Sequence, residues 1–248
     1  MTRVRGFGCI LGVLLAGCSS TGVGNPGVSS LSLSVVNDPQ AQDEAEDLPS
    51  SAIQDAVVVL GELRFQACDA SRGGEQVIEG PFVVDLKAGT TTPEIPDILD
   101  TPGGYCDLKA PLAPATSAAL AGRSLFFDGT RADGTFFIVY ANMTGTLKLH
   151  ATTDRAWQGM DTPPKFFWAL RPRRWLLKSE LDDALLMPDD SQQRAVVIDA
   201  DRYMKLYLAI RSRLAGMSTL YADADGNGVF TDFDRQAVVG VGLDNTDP

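Results

Sequence analysis

Between residues 56 and 198 the chain alternates short apolar, β-prone runs with Gly, Pro and Asp, and no 3.6-residue periodicity is sustained over any long stretch. The runs are "AVVVLGELRFQA", "EQVIEGPFVVDL", "GGYCDLKAPL", "SLFFDGT", "GTFFIVYA", "GTLKLHAT", "KFFWAL", "RRWLLKSEL" and "RAVVI". Short strands at this spacing predict a mainly β domain, an antiparallel sandwich or barrel over residues 52–198. Asp133-Gly134 after Ala132 is a hairpin signal, and Gly103-Gly104 turns the chain into the strand that carries Cys106. His150 alternates with Leu147 and Leu149, which puts it on the polar face of its strand. Phe166, Phe167 and Trp168 read as core. Earlier, "LSLSVV" at 31–36 alternates as a half-buried strand does, within a Gly/Ser-rich and then acidic stretch that suits a tether over 18–51. Later, residues 199–248 predict a helix through "RYMKLYLAIRSRLAGM", capped by Asp199 or Asp201. Its core-facing stripe would be Met204, Tyr207, Leu208, Ile210 and Leu214.

Ahead of all this, Arg3 and Arg5 precede an apolar run at 7–16 that is too short to span a bilayer, the pattern of a secretory signal at 1–17. Leu15-Ala16-Gly17-Cys18 resembles the lipobox of bacterial lipoproteins. That resemblance implies a lipidated Cys18 at the mature N-terminus and a membrane partner reached through acyl chains, since more than one chain anchors stably. Ser19 after the cysteine implies the outer membrane of the bacterial envelope.

Charge narrows the partners further. Removing Arg3 and Arg5 with the signal reduces the 21 basic residues against 32 acidic ones, for a net charge of −13. Such a surface excludes nucleic acid as an expected partner and suits divalent cations. Of four cysteines, Cys9 leaves with the signal and Cys18 takes lipid, so Cys68 and Cys106 remain in an oxidising compartment. A disulfide between them is worth about 3 to 4 kcal/mol on a chain-entropy argument. The alternative is two buried free thiols.

Catalytic constellations are hard to find. His150 is the one histidine, and the mature chain has no His-Glu-x-x-His, Cys-x-x-Cys, P-loop or Gly-x-Gly-x-x-Gly pattern. The expectation is a protein that is not an enzyme and holds no zinc. Asp182 with Asp183, and Asp189 with Asp190, are pairs that so acidic a chain produces by chance. "RPRRW" at 171–175 could stack on a sugar or hold an anion, but reads first as a charged edge strand with Trp175 turned inward.

"YADADGNGVFTDFD", residues 221–234, is different. Counting from Asp223, side-chain oxygens fall at positions 1, 3 and 5 as Asp223, Asp225 and Asn227, with Gly228 at 6. Val229 at 7 offers its carbonyl, Phe230 at 8 is apolar, Thr231 takes 9 and Asp234 takes 12. Ca²⁺ needs six to eight oxygens, and a chain can wrap it with alternate side chains only by turning sharply at the sixth residue. The stretch resembles an EF-hand loop, and its final Asp brings it nearer to dockerin loops. One loop without a second does not carry over cohesin binding. A final Asp is shorter than Glu, which places affinity at ~10⁻⁵ to 10⁻³ M; the alternative is an Asp/Gly-rich turn that binds nothing. A real site would pin residues 199–248 without being needed by the sandwich.

"GPFVVDLKAG", then "PGGYCDLKAPL", then "LFFDGT" resemble a group of bacterial surface lipoprotein domains. The resemblance, over residues 31–177, implies an immunoglobulin- or transthyretin-like sandwich that binds a protein or glycan ligand, and it carries no catalytic residues. The function expected is a lipid-anchored, calcium-binding envelope lipoprotein acting in binding or adhesion. The rivals are a carbohydrate- or peptide-active envelope enzyme and a purely structural component.

Overall fold

The computed structural model describes residues 30–39, 48, 52–71, 73–116, 120, 122–131, 133–152, 157, 164–184, 187–188, 194–198 and 201–243. The expected signal segment at 1–17, Cys18, Asp189, Asp190 and Asp199 lie outside them.

The described chain is mainly β and forms two sheets around one core. The larger has nine strands. In spatial order they are β4 (Glu75–Ile78), β3 (Leu63–Ala67), β8 (Tyr105–Pro111), β11 (Thr146–Ala151), β16 (Val238–Gly242), β15 (Thr219–Ala222), β12 (Lys165–Leu170), β1 (Ser30–Asn37) and β7 (Ile98–Leu99). The smaller has seven: β13 (Met187–Pro188), β14 (Arg194–Ile198), β10 (Phe136–Ala141), β9 (Leu125–Thr130), β2 (Ile53–Leu60), β5 (Phe82–Asp85) and β6 (Thr90–Thr92). Phe127 and Phe137 from the smaller sheet share a hydrophobic cluster with Phe65, Leu108 and Trp168 from the larger. Trp175, fully buried, meets the Phe127 ring edge to face at 5.6 Å. Inward positions alternate as the sequence predicts, most clearly in β1, where Leu31, Leu33 and Val35 are buried between partly exposed serines.

Several expectations are corrected. The sandwich is mixed rather than antiparallel: β1 runs parallel to β12 from Ser32↔Lys165 to Asn37↔Leu170, and β10 runs parallel to β14. Parallel neighbours require a long connection, and β1 lies far from β12 in the chain. The 31–36 strand is accordingly an integral member of the large sheet. Likewise β15 and β16 sit in the middle of that sheet, between β11 and β12, so the chain beyond residue 198 shares the sandwich core.

"AVVVLGELRFQA" is two strands in different sheets, β2 and β3, and "EQVIEGPFVVDL" likewise divides into β4 and β5. The chain crosses between sheets at Gly61 and again at Gly80. The two backbones touch there, for a Cβ on Gly80 would lie 2.2 Å from the Gly61 carbonyl oxygen. Only glycine permits that approach.

"RRWLLKSEL" is not a strand. Pro172 opens a 3₁₀ turn (Pro172–Arg174), and α1 (Lys178–Asp182) follows, its start closed by the Leu177 N–H donating to Glu180 Oε2 at 2.9 Å. The C-terminal helix, α2 (Met204–Gly216), begins after Tyr203 without a side-chain cap. It buries Tyr207, Ile210, Leu214 and Ala215, while Met204 and Leu208 are exposed, so the core stripe is narrower than its apolar content suggests.

Candidate metal centre

β15 is hydrogen-bonded to strands on both sides, and it delivers the chain into residues 223–234 from a fixed direction. The Asp223 N–H donates to the Lys165 carbonyl at 2.9 Å, and the Ala222 N–H donates to the Ala237 carbonyl at 3.0 Å, so the loop is closed at its base. Gly226 and Gly228 adopt φ of +69° and +76°, the left-handed turns that glycine takes without strain.

Within this frame the side chains converge. Asp223 Oδ2 accepts the Gly228 N–H at 2.8 Å. Asp225 accepts the Asn227 N–H at 3.1 Å and Asn227 Nδ2 at 2.7 Å, and Asn227 Oδ1 accepts the Val229 N–H at 2.6 Å. Asp234 is fully buried and accepts from the Ala224 N–H (2.8 Å), the Thr231 N–H (2.7 Å) and the Thr231 hydroxyl (3.0 Å). One carboxylate oxygen each from Asp223, Asp225 and Asp234 lies within 4.8 Å of the others. Asp223 Oδ1 is buried and has no hydrogen-bond partner among the described residues. Asp234 is buried, Asp223 half-buried and Asp225 exposed, and three carboxylates this close repel one another; a cation among them removes the repulsion while giving Asp223 Oδ1 a partner. These residues could hold a metal ion, and an all-oxygen donor set suits a hard divalent cation.

The flanks depart from an EF-hand. α2 ends at Gly216, so a strand leads into the loop, and a 3₁₀ turn (Asp234–Gln236) leads out where a second helix would stand. The loop is instead stapled to the outer face of the large sheet. Phe230 packs on Phe167 and Tyr221, with ring centroids at 5.5 and 5.4 Å, and the Arg235 guanidinium lies over its ring at 4.8 Å. Lys165 Nζ donates to the Gly228 carbonyl at 2.7 Å. Arg235 Nε reaches Asp38 at 2.8 Å, and Asp38 also takes Arg171 Nε at 3.1 Å. The spacing of the loop ligands is local and announces itself. Lys165, Arg171, Arg235 and Asp38 carry no such signal, because their partners are distant in sequence.

The other candidates have structural places. Cys68, just after β3, is disulfide-bonded to Cys106 in β8. His150 is exposed on β11, with Nδ1 2.7 Å from Asp107 Oδ1. Asp182 pairs with Arg131 at 3.4 Å, and Arg171 is committed to Asp38 and to the Tyr221 hydroxyl at 2.8 Å. No helix among the described residues is long and apolar enough to cross a membrane. No family model matches this chain, and neither a curated protein nor a solved structure is found to be similar to it.

Proposed function

We propose that this chain is a calcium-binding, lipid-anchored envelope lipoprotein whose sandwich, an elaborated immunoglobulin- or transthyretin-like module, serves binding or adhesion. The observation that carries the calcium reading is Asp223 Oδ1, a buried carboxylate oxygen without a donor, beside two further carboxylates within 4.8 Å. The anchor rests on Leu15-Ala16-Gly17-Cys18 at the end of a short apolar run. Calcium completes a loop whose backbone turns are already formed, and the ion is structural in role: it fixes Phe230 and Arg235 on the sheet. Calorimetric titration of the mature protein should give a Kd of ~10⁻⁵ to 10⁻³ M for calcium, and Asp223→Ala should abolish the heat. No heat at millimolar calcium overturns the reading. For the anchor, Cys18→Ala should release the protein from membranes under a high-salt wash, and continued membrane attachment would sink that half.

A further inference from the structure

Within "RPRRW", Arg171 is committed to Asp38 and Tyr221, but Arg173 has a different setting. Pro172 opens the 3₁₀ turn that carries it, and the Leu48 N–H donates to the Arg173 carbonyl at 3.2 Å. The fold buries this arginine to 5 % exposure. A guanidinium keeps its charge and has five N–H donors in a planar fork, so its burial is costly unless charge and donors are both met. Arg173 interacts within the protein, yet its Nε, itself buried, makes no hydrogen bond among the described residues.

Arg173 lines a cavity of about 150 Å³ where the 3₁₀ turn meets the end of β1, the start of β2 and the turn after β5. At a water's share of ~30 Å³ this is room for one small polyatomic ion rather than a drug-sized ligand. Ile53 and Ala56 give it apolar surface, and its polar lining is Asn37, Gln54, Lys87 and Arg173. The described lining thus holds two cations, two side-chain amides and no carboxylate, in a chain with 32 acidic residues against 21 basic ones. Two acids stand beside lining residues in the chain. Asp38 is taken up by Arg171 and Arg235. Asp55 lies 3.4 Å from Lys87 Nζ, but both side chains are more than half exposed, so solvent screens that pair and an anion can compete with it.

We propose that this cavity binds a tetrahedral oxyanion, phosphate or sulfate, as the free ion or as the head group of a larger molecule. Arg173 meets it with the guanidinium fork, and Lys87 supplies the second charge. The two cations come from different elements, and a tetrahedral ion presents oxygens on every side, whereas a carboxylate presents two in one plane. The site uses no residue of the metal loop and no part of the anchor, so it goes beyond the calcium reading and does not depend on it.

The test is calorimetric titration of the mature protein in calcium-free buffer, at constant ionic strength, with inorganic phosphate, sulfate, glycerol 3-phosphate, acetate and chloride. Phosphate and sulfate should bind at one site, acetate more weakly and chloride not at all. Glycerol 3-phosphate binding at least as tightly as inorganic phosphate supports a head-group ligand; weaker binding supports the free ion. Lys87→Gln alters an exposed side chain and should weaken phosphate about tenfold, the worth of a charge-assisted hydrogen bond. Arg173→Lys keeps the charge, removes the fork and should weaken it at least as much. Phosphate should shift the amide resonances of residues 54, 87 and 173 in the parent protein. No heat with millimolar phosphate or sulfate, an equal response to chloride, or unchanged affinity in Lys87→Gln would overturn the proposal. A calcium titration in phosphate-free buffer reads the metal loop separately, so either reading can fail alone.

Discussion

Asp38, at the end of the first strand, accepts a hydrogen bond at 2.8 Å from Nε of Arg235, 197 residues further along the chain. Asp38 is 1 % exposed, and its second oxygen takes Arg171 at 3.1 Å. Arg235 directly follows Asp234, the last ligand of the candidate metal loop, and also pairs with Asp232. One buried carboxylate therefore joins the loop, the 171–174 turn and β1. Asp38→Asn leaves two guanidinium groups largely desolvated against a neutral amide, and breaking a buried pair from one side costs about 3 kcal/mol. Urea unfolding should show a midpoint loss of that size. A change within about 0.5 kcal/mol, the scatter of ordinary surface substitutions, would make the node incidental.

A longer final ligand should not improve the metal loop. The sequence invites Asp234→Glu, because Glu reaches an ion with both oxygens. In the fold, however, Asp234 is fully buried and both its oxygens are committed to Ala224 and Thr231. An added methylene there overpacks the loop at a cost of about 1 to 3 kcal/mol. Thermal unfolding with and without calcium should show a lower midpoint in both conditions and no tighter calcium response. Tighter binding would mean that the loop rearranges around the ion.

What was legible in the sequence is what depends on near neighbours. A period of two marks Leu31, Leu33 and Val35 as one face of a strand, but says nothing of its partner, Lys165–Leu170, which is why β1 could pass for part of a tether. The β-prone pattern runs on through Gly61 into Leu63 and Phe65 although β2 and β3 belong to different sheets, because both sheets need strands with an apolar face. Met204 and Leu208 fit a helical stripe equally well whether or not a surface waits to receive them. The candidate metal ligands lie within twelve residues and could be numbered directly, and Cys68 and Cys106, once Cys9 and Cys18 are assigned to a signal and an anchor, leave one pairing. The Asp38 node arises from tertiary contact, for which a single sequence holds no periodic trace.

Glu180 joins the two helices and should make the fold acid-sensitive. Burial alone would raise its pKa, but the paired hydrogen bonds from Arg213 at 2.6 and 2.8 Å, with the Leu177 N–H, outweigh burial and hold the carboxyl below its ordinary range. A lowered folded pKa gives stability that is present above the unfolded pKa and is lost as pH falls through the folded value. Glu180→Gln should cost about 1 kcal/mol at neutral pH, allowing for solvent screening, and should remove part of the acid-side slope. A mutant whose slope matches the parent protein would exclude Glu180 as the titrating group.

Asp128 should act with the opposite sign. Burial raises its pKa; the charge of Asp55, directly opposite on β2, raises it further, and together they outweigh the Asp55 N–H and Lys87, which lower it. A raised carboxylate destabilises the fold at neutral pH, and the loss is relieved as pH falls through the folded pKa. Asp128→Asn keeps an acceptor for the Asp55 N–H, which now sits 2.9 Å from Asp128 Oδ1, and removes the repulsion. A gain of about 0.2 to 1 kcal/mol at neutral pH is expected, shrinking in acid, as for cross-strand charge pairs. Denaturant midpoints at several pH values decide it, and a loss of stability would show that Lys87 outweighs Asp55.

Calcium removal should weaken the whole sandwich. Viewed from the sequence, the loop pins only the chain after residue 198, yet its entering strand, β15, lies between β12 and β16 in the interior of the large sheet. The Asp223 N–H bonds to Lys165 of β12, and Phe230 rests on Phe167 of the same strand, so disorder in the loop exposes β12 directly. A ligand that binds only the folded form stabilises it by about 2.7 kcal/mol at a hundred times Kd, and with the weak site argued above millimolar calcium supplies this or less. Because the strands share one core, that amount should appear in a single cooperative transition. Chelation should lower the unfolding midpoint and speed amide exchange in β12, β1 and β15 together. If faster exchange stayed within residues 223–237 and the midpoint did not move, the loop would be a local clasp, energetically separate from the sheet to which it is bound.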